Sequence, residues 1–247
     1  PNTASAHYWP SEVQKFLERD LRERCEEILG KVEVRICFAT TLGRPDPQLI
    51  ELAGTQRADL IVVGTNQRRG LYRLGSVSRG VLQHAPMNVA CVPMSAIEDD
   101  GAHSIPQFRR VLVPTDFSTW GNRAIALAYS VVRTGGEVCL VHVTAPTERR
   151  TSDQSNQDRQ AERGRHAAAQ LQALVPEAAE PRRIKSRTEV AEHAQPAMAI
   201  CQAAERFGAD LICMGSRGRS GLTKVLLGSV AQAVMAQSKR PVLVLRE

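Results

Sequence analysis

The feature that most constrains this chain is an internal repeat. Ala58-Asp59-Leu60-Ile61-Val62-Val63-Gly64 recurs as Ala209-Asp210-Leu211-Ile212-Cys213-Met214-Gly215, at an offset of 151 residues. Gly75-Ser76-Val77 recurs as Gly228-Ser229-Val230, at an offset of 153. One supersecondary design is therefore used twice, and 247 residues divide into two domains. The copies differ where it matters chemically. The second reads Gly215-Ser216-Arg217-Gly218, then nine residues, then Gly228-Ser229; the first reads Gly64-Thr65-Asn66-Gln67 and has no second glycine. The repeat reads as one intact loop and one decayed loop.

The second half alternates strands with helices. Strands are expected at Arg109–Pro114, Glu137–Val143, Arg183–Glu189, Asp210–Gly215 and Pro241–Arg246. Helices are expected at 118–134, with Ser118 as N-cap and Gly135-Gly136 as terminator, then at 158–174, 196–207 and 229–237. Near-continuous apolar strands separated by helices indicate a parallel sheet covered on both faces. The first half follows the same plan with a helix at Ser11–Leu29 and strands at Val32–Ala39, Asp59–Gly64 and Asn88–Val92. Nothing before Ser11 matches the strand-helix-strand that opens the second half. The sequence therefore reads as a portion of a longer protein. The expected domains are 1–94 and 108–247, with a linker at 95–107 that contains Glu98-Asp99-Asp100-Gly101. The fold class is α/β: two tandem doubly wound parallel-sheet domains, Rossmann-like and five-stranded in full, the first incomplete.

Composition narrows the function. A net charge of +6 suits an anionic partner. The arginines are nevertheless scattered, and no basic stripe interleaved with aromatics appears, which argues against nucleic acid. No run approaches the ~18 apolar residues of a membrane span. Cys25, Cys37, Cys91, Cys139, Cys201 and Cys213 form no CxxC, and four of them lie in apolar runs that read as strands. Buried free thiols in a reducing cytoplasm are the reading, with no signal peptide visible and no clustered metal-ligand spacing.

Three stretches together resemble a tandem universal stress protein. Val111-Leu112-Val113-Pro114-Thr115-Asp116-Phe117-Ser118 is similar to that family's opening strand and turn. Leu140-Val141-His142-Val143 resembles its second strand, and Gly215-x2-Gly218-x9-Gly228-Ser229 resembles the loop of its ATP-binding branch. The resemblance is close over 108–247 and partial over 11–94. It implies that Pro114, Thr115, Asp116 and Val143 address a nucleoside. It further implies that Met214, Gly215, Gly218, Gly228, Ser229 and Val230 take the phosphates of ATP or another adenine nucleotide, beside Mg2+ or Mn2+. It also implies a stress-response or signalling role. Last strands paired antiparallel follow from it too, either within the chain or across a homodimer.

Physical reasoning runs alongside. In an open parallel sheet, ligands bind beyond the carboxyl ends of strands, where Asp116, Val143 and Gly215 are expected. Glycines at 215 and 218 remove the β-carbon, which opens the backbone to a phosphate and permits positive φ. Gly228-Ser229 opens a helix whose free N–H groups favour an anion. Arg217 or Arg219 supplies charge-assisted contacts. Plainer roles compete: Asp116 as a helix N-terminal acid, the glycines as turn punctuation, His142 as a strand residue with a satisfied ring. There is no GxxxxGK[ST], and no paired carboxylates or Ser-His-Asp set can be assembled. A slow ATP hydrolase or autophosphorylating enzyme is thus the alternative to a binding protein, and a ligand-free interaction module a third reading. The first half is expected to bind no nucleotide.

Overall fold

A computed structural model describes residues 11–30, 32–39, 43–65, 75–94, 107–146, 154–218 and 227–246. In the first half, the helices are α1 (Ser11–Leu29), α2 (Pro45–Thr55) and α3 (Ser76–His84), with strands β1 (Leu60–Thr65) and β2 (Asn88–Pro93). The second half contains β3 (Arg110–Pro114), α4 (Thr119–Val131), β4 (Glu137–Thr144), α5 (Gln154–Ala173), β5 (Lys185–Glu192), α6 (Pro196–Phe207), β6 (Leu211–Gly215), α7 (Ser229–Gln237) and β7 (Val242–Leu245). The expected linker 95–107 lies outside the described residues except for its last position.

All seven strands form one sheet in the order β1-β2-β7-β6-β3-β4-β5. The five strands of the second half run parallel. β1 and β2 are parallel to each other. The halves meet where β2 runs antiparallel to β7, with Val89 opposite Val244 and Cys91 opposite Val242. Every residue of β6 is buried, as is all of β3 beyond Arg110. That is why these strands carry apolar side chains on both faces rather than alternating with polar ones.

Alternation along β3 sends its residues to opposite cores. Leu112 joins Cys139, Ile200, Ile212 and Val234 beneath α6 and α7. Val111 and Val113 join Ile125, Ala128, Leu140 and Leu171 beneath α4 and α5. The first of these cores also takes in Val81, Leu82, Val89 and Cys91 from the first half. Each fully buried Val or Leu contributes about 1.5–3 kcal/mol, so the two halves share a substantial apolar core. Helix ends follow their local chemistry. Ser118 Oγ accepts from Gly121 N at 3.1 Å to cap α4, and Gly208 closes α6 at a φ of 66°.

Two features of the first half depart from its sequence pattern or add to it. Residues 32–39 were expected to form a strand, and they form none. A strand needs a neighbour to satisfy its N–H and C=O groups. β5, at the corresponding place, has β4 beside it, while the described residues of the first half hold no such partner. Val32 and Phe38 are accordingly exposed, and Cys37, assigned to that strand, is exposed too. α1 forms over the expected residues but buries none of them; the pairs Glu18–Arg22 and Asp20–Arg24 brace its surface. α2 and α3 are additions to the sequence reading. Between them Asp46 is buried and held by two hydrogen bonds from Arg44, and a β-carbon on Gly80 would come within 1.8 Å of Asp46 Oδ2.

Candidate functional site

The site forms where β3, β4 and β6 release their carboxyl ends toward α4, α6 and α7. Thr115 N still donates to Val141 O at 2.9 Å, so the sheet holds the chain up to the turn. Thr115 Oγ1 then donates to Asn122 Oδ1 at 2.7 Å and accepts from Phe117 N at 3.0 Å. Asp116 Oδ1 accepts from Ser118 N at 3.1 Å and from the Ser118 hydroxyl. Phe117 adopts a φ of 65°, a left-handed conformation that costs free energy in a non-glycine residue. Its ring lies 4.3 Å from that of His142, whose Nδ1 donates to Thr115 O at 2.8 Å. The carbonyl can only accept, so the proton sits on Nδ1 in this contact. His142 here buttresses the turn.

The glycines owe their place to close approach. A β-carbon on Gly218 would stand 2.3 Å from Asp116 Oδ2, and one on Gly121 would stand 2.9 Å from Oδ1. The Asp116 carboxylate is thus seated between two glycine backbones. A β-carbon on Gly215 would meet Trp120 O at 2.7 Å, so that glycine lets β6 pack against the first turn of α4. Among the described glycines only Gly30, Gly135 and Gly208 have positive φ, so Gly215 and Gly218 do not use the left-handed freedom that glycine permits. A correction concerns Gly228. Its N–H donates to Ser216 O at 2.7 Å and is spent on holding the loop to α7. Ser229, Val230 and Ala231, the first residues of α7, keep N–H groups without intrahelical partners, and Gly228 provides no side-chain cap.

These elements enclose a cavity of about 220 Å³. Pro114, Thr115, Asp116, Val143, Met214, Gly215, Arg217, Gly218, Gly228, Ser229 and Val230 all line it. Arg219 lies outside the described residues. Gly121, Val141, His142, Pro196, Ile200, Ser216 and Ala231 complete the wall. Gly121 carries a signal in the sequence, since a glycine in the first turn of a helix opposes helix propensity. Pro196 and Ile200 carry none, because α6 reads only as an amphipathic covering helix. Arg217 and the start of α7 form a cationic, N–H-rich end of the wall, and the Asp116 carboxylate reaches Gly218 beside it. No group of three or more His, Cys, Asp or Glu gathers among the described residues.

The matching place in the first half is different. Gly64 O accepts from Ser78 Oγ at 3.0 Å, and a β-carbon on Gly64 would meet only Met94 Sδ at 3.8 Å. Residues 66–74, including Gln67, lie outside the described residues. No described residue of the first half stands where Asp116 stands in the second.

The sequence model of the universal stress protein family matches residues 1–93 and again 107–246. The chain belongs to the universal stress protein family. A universal stress protein of Mycobacterium tuberculosis is 32% identical over 223 residues, covering 87% of this chain and 69% of its own length. A shorter universal stress protein, from Methanocaldococcus jannaschii, is 31% identical over 148 residues, or 57% of this chain and 83% of its own. Among solved structures, a universal stress protein of Archaeoglobus fulgidus aligns with all of this chain and 83% of its own, at 25% identity and a TM-score of 0.60. Two matches of one family, joined by a shared sheet, account for the internal repeat of this universal stress protein. No helix among its described residues is long and apolar enough to cross a membrane.

Proposed function

We propose that this universal stress protein binds one adenine nucleotide, ATP by preference, in its second half and acts in a cytoplasmic stress response or signalling role. One observation carries the reading: a single cavity is lined by Asp116, Arg217, Gly218 and the start of α7 together, with an apolar wall beside them. The N–H groups of Ser229, Val230 and Ala231, which have no intrahelical partners, and the positive end of α7 suit phosphate oxygens. Arg217 adds a charge-assisted donor. Asp116 suits the ribose hydroxyls, and the apolar wall of Val141, Val143, Pro196 and Ile200 suits a purine.

Asp116 is the one carboxylate among the described residues lining the cavity. Mg2+ or Mn2+ would therefore be held chiefly by phosphate oxygens, as is usual for a hard cation on a nucleotide. A binding protein is the better reading than an efficient enzyme, because His142 is engaged with Thr115 O and no second carboxylate among the described residues faces the cavity. Protein purified without added nucleotide and then denatured should release an adenine nucleotide, detectable by mass spectrometry. Equilibrium dialysis against ATP supplies the second arm. Neither released ligand nor uptake of ATP would reject the reading.

A further inference from the structure

We propose that Arg246 is a positioning residue for the cationic end of the cavity, and that the first half of the chain holds it in place. The proposal rests on the nucleotide reading above. Two successive residues at the end of β7 tie the cavity loop to the other half. Leu245 O accepts from Ser216 N at 3.0 Å, which fixes the base of the loop bearing Arg217. Arg246 N donates to Asn88 Oδ1 at 2.9 Å, and the Arg246 guanidinium donates to the carbonyl of Leu82. Leu82 lies in α3 and Asn88 opens β2, so both partners belong to the first half.

Arg246 does not line the cavity, so it acts through Arg217. Its Nε is buried and finds no hydrogen-bond partner among the described residues. Burial, and then the positive charge of Arg217, lower its pKa. Arg217 directly follows Ser216 and Arg246 directly follows Leu245, so the Ser216–Leu245 hydrogen bond sets the two arginines next to each other at the base of the loop. Like charges held close repel, and the anchors at Asn88 and Leu82 keep Arg246 from retreating. An anion placed beside Arg217 relieves that repulsion. Affinity for a phosphate then gains from a residue that never touches it, and the gain grows with the charge on the ligand. In this account the decayed half serves the intact half by holding the second cation.

The test compares ATP with AMP by calorimetry on the full chain and on Arg246→Met, Arg246→Lys and Asn88→Ala. Arg246→Met should weaken ATP roughly 5- to 10-fold, the lower range of site-to-site coupling, while AMP changes less than about 2-fold. Arg246→Lys should keep most of the ATP affinity, and Asn88→Ala should fall between. Equal losses for ATP and AMP, with lysine no better than methionine, would make Arg246 a packing residue and overturn the proposal. Unchanged ATP affinity in Arg246→Met would do the same. Should Arg246→Met not fold, Asn88→Ala decides: an unaltered ratio of ATP to AMP affinity overturns the proposal. A wild-type chain that binds neither ligand removes the nucleotide reading along with it, whereas normal wild-type binding with indifferent variants removes this inference alone.

Discussion

Asp116 gathers the chemistry of the site at the scale of single residues. Its carboxylate accepts from the turn it belongs to and is flanked by glycine backbones at 121 and 218. Replacing Gly218 by alanine puts a β-carbon 2.3 Å from Asp116 Oδ2, so the carboxylate or the loop must move. Calorimetry should then show ATP affinity reduced at least about tenfold, with the melting temperature nearly unchanged, because Gly218 brings no side chain to the core. An unaltered affinity would remove Asp116 and Gly218 from the site. Asp116 and the glycine spacing were legible in the sequence because strand ends and glycines mark backbone geometry directly. The reason for each glycine was not legible. Gly215 and Gly218 look alike in sequence, yet one faces the backbone of Trp120 and the other a carboxylate. Spacing cannot tell what a missing β-carbon makes room for. Gly228 shows the same limit: its position at the start of a helix was plain, but its N–H is committed to Ser216 O.

Among the elements, the junction of β2 and β7 carries the most consequence. Val244 is fully buried and faces Val89 across antiparallel strands. Val244→Glu places an unpaired carboxylate in that core, and chemical denaturation should report a loss of at least about 3 kcal/mol. Wild-type stability in that variant would mean that the halves do not rely on this seam. The buried strand cysteines give a pH signature. Burial pushes Cys91, Cys139 and Cys213 up to about 12 from 9.0. The unfolded chain therefore releases these protons first, so stability is complete below pH 9 and falls as pH rises from 9 toward 12. Each thiol lowers stability by up to about 1.4 kcal/mol per pH unit in that window. Denaturation at pH 8 and at pH 10 should show a steeper fall in wild type than in a triple alanine variant; equal falls would place those thiols in water. The strands of the second half were legible as apolar runs between turns. Residues 32–39 carry the same kind of pattern and form no strand, because pairing depends on a neighbour that a local pattern cannot supply.

In the whole molecule the two family units are joined but unequal. A common sheet and core run through both halves, while the cavity lined by Asp116, Arg217 and the start of α7 belongs to the second. The repeat made the two units visible, and the shorter first loop made their inequality visible. The register of β2 on β7 and the tie from Arg246 to Asn88 were hidden, because they join residues about 150 positions apart whose types are ordinary. The central claim is one nucleotide site per chain, in the second half. Isothermal titration of the nucleotide-stripped chain with ATP and Mg2+ tests it most directly. The expected stoichiometry is about one, abolished by a bulky substitution such as Gly218→Phe. A stoichiometry of two, or one site that survives Gly218→Phe, would contradict it.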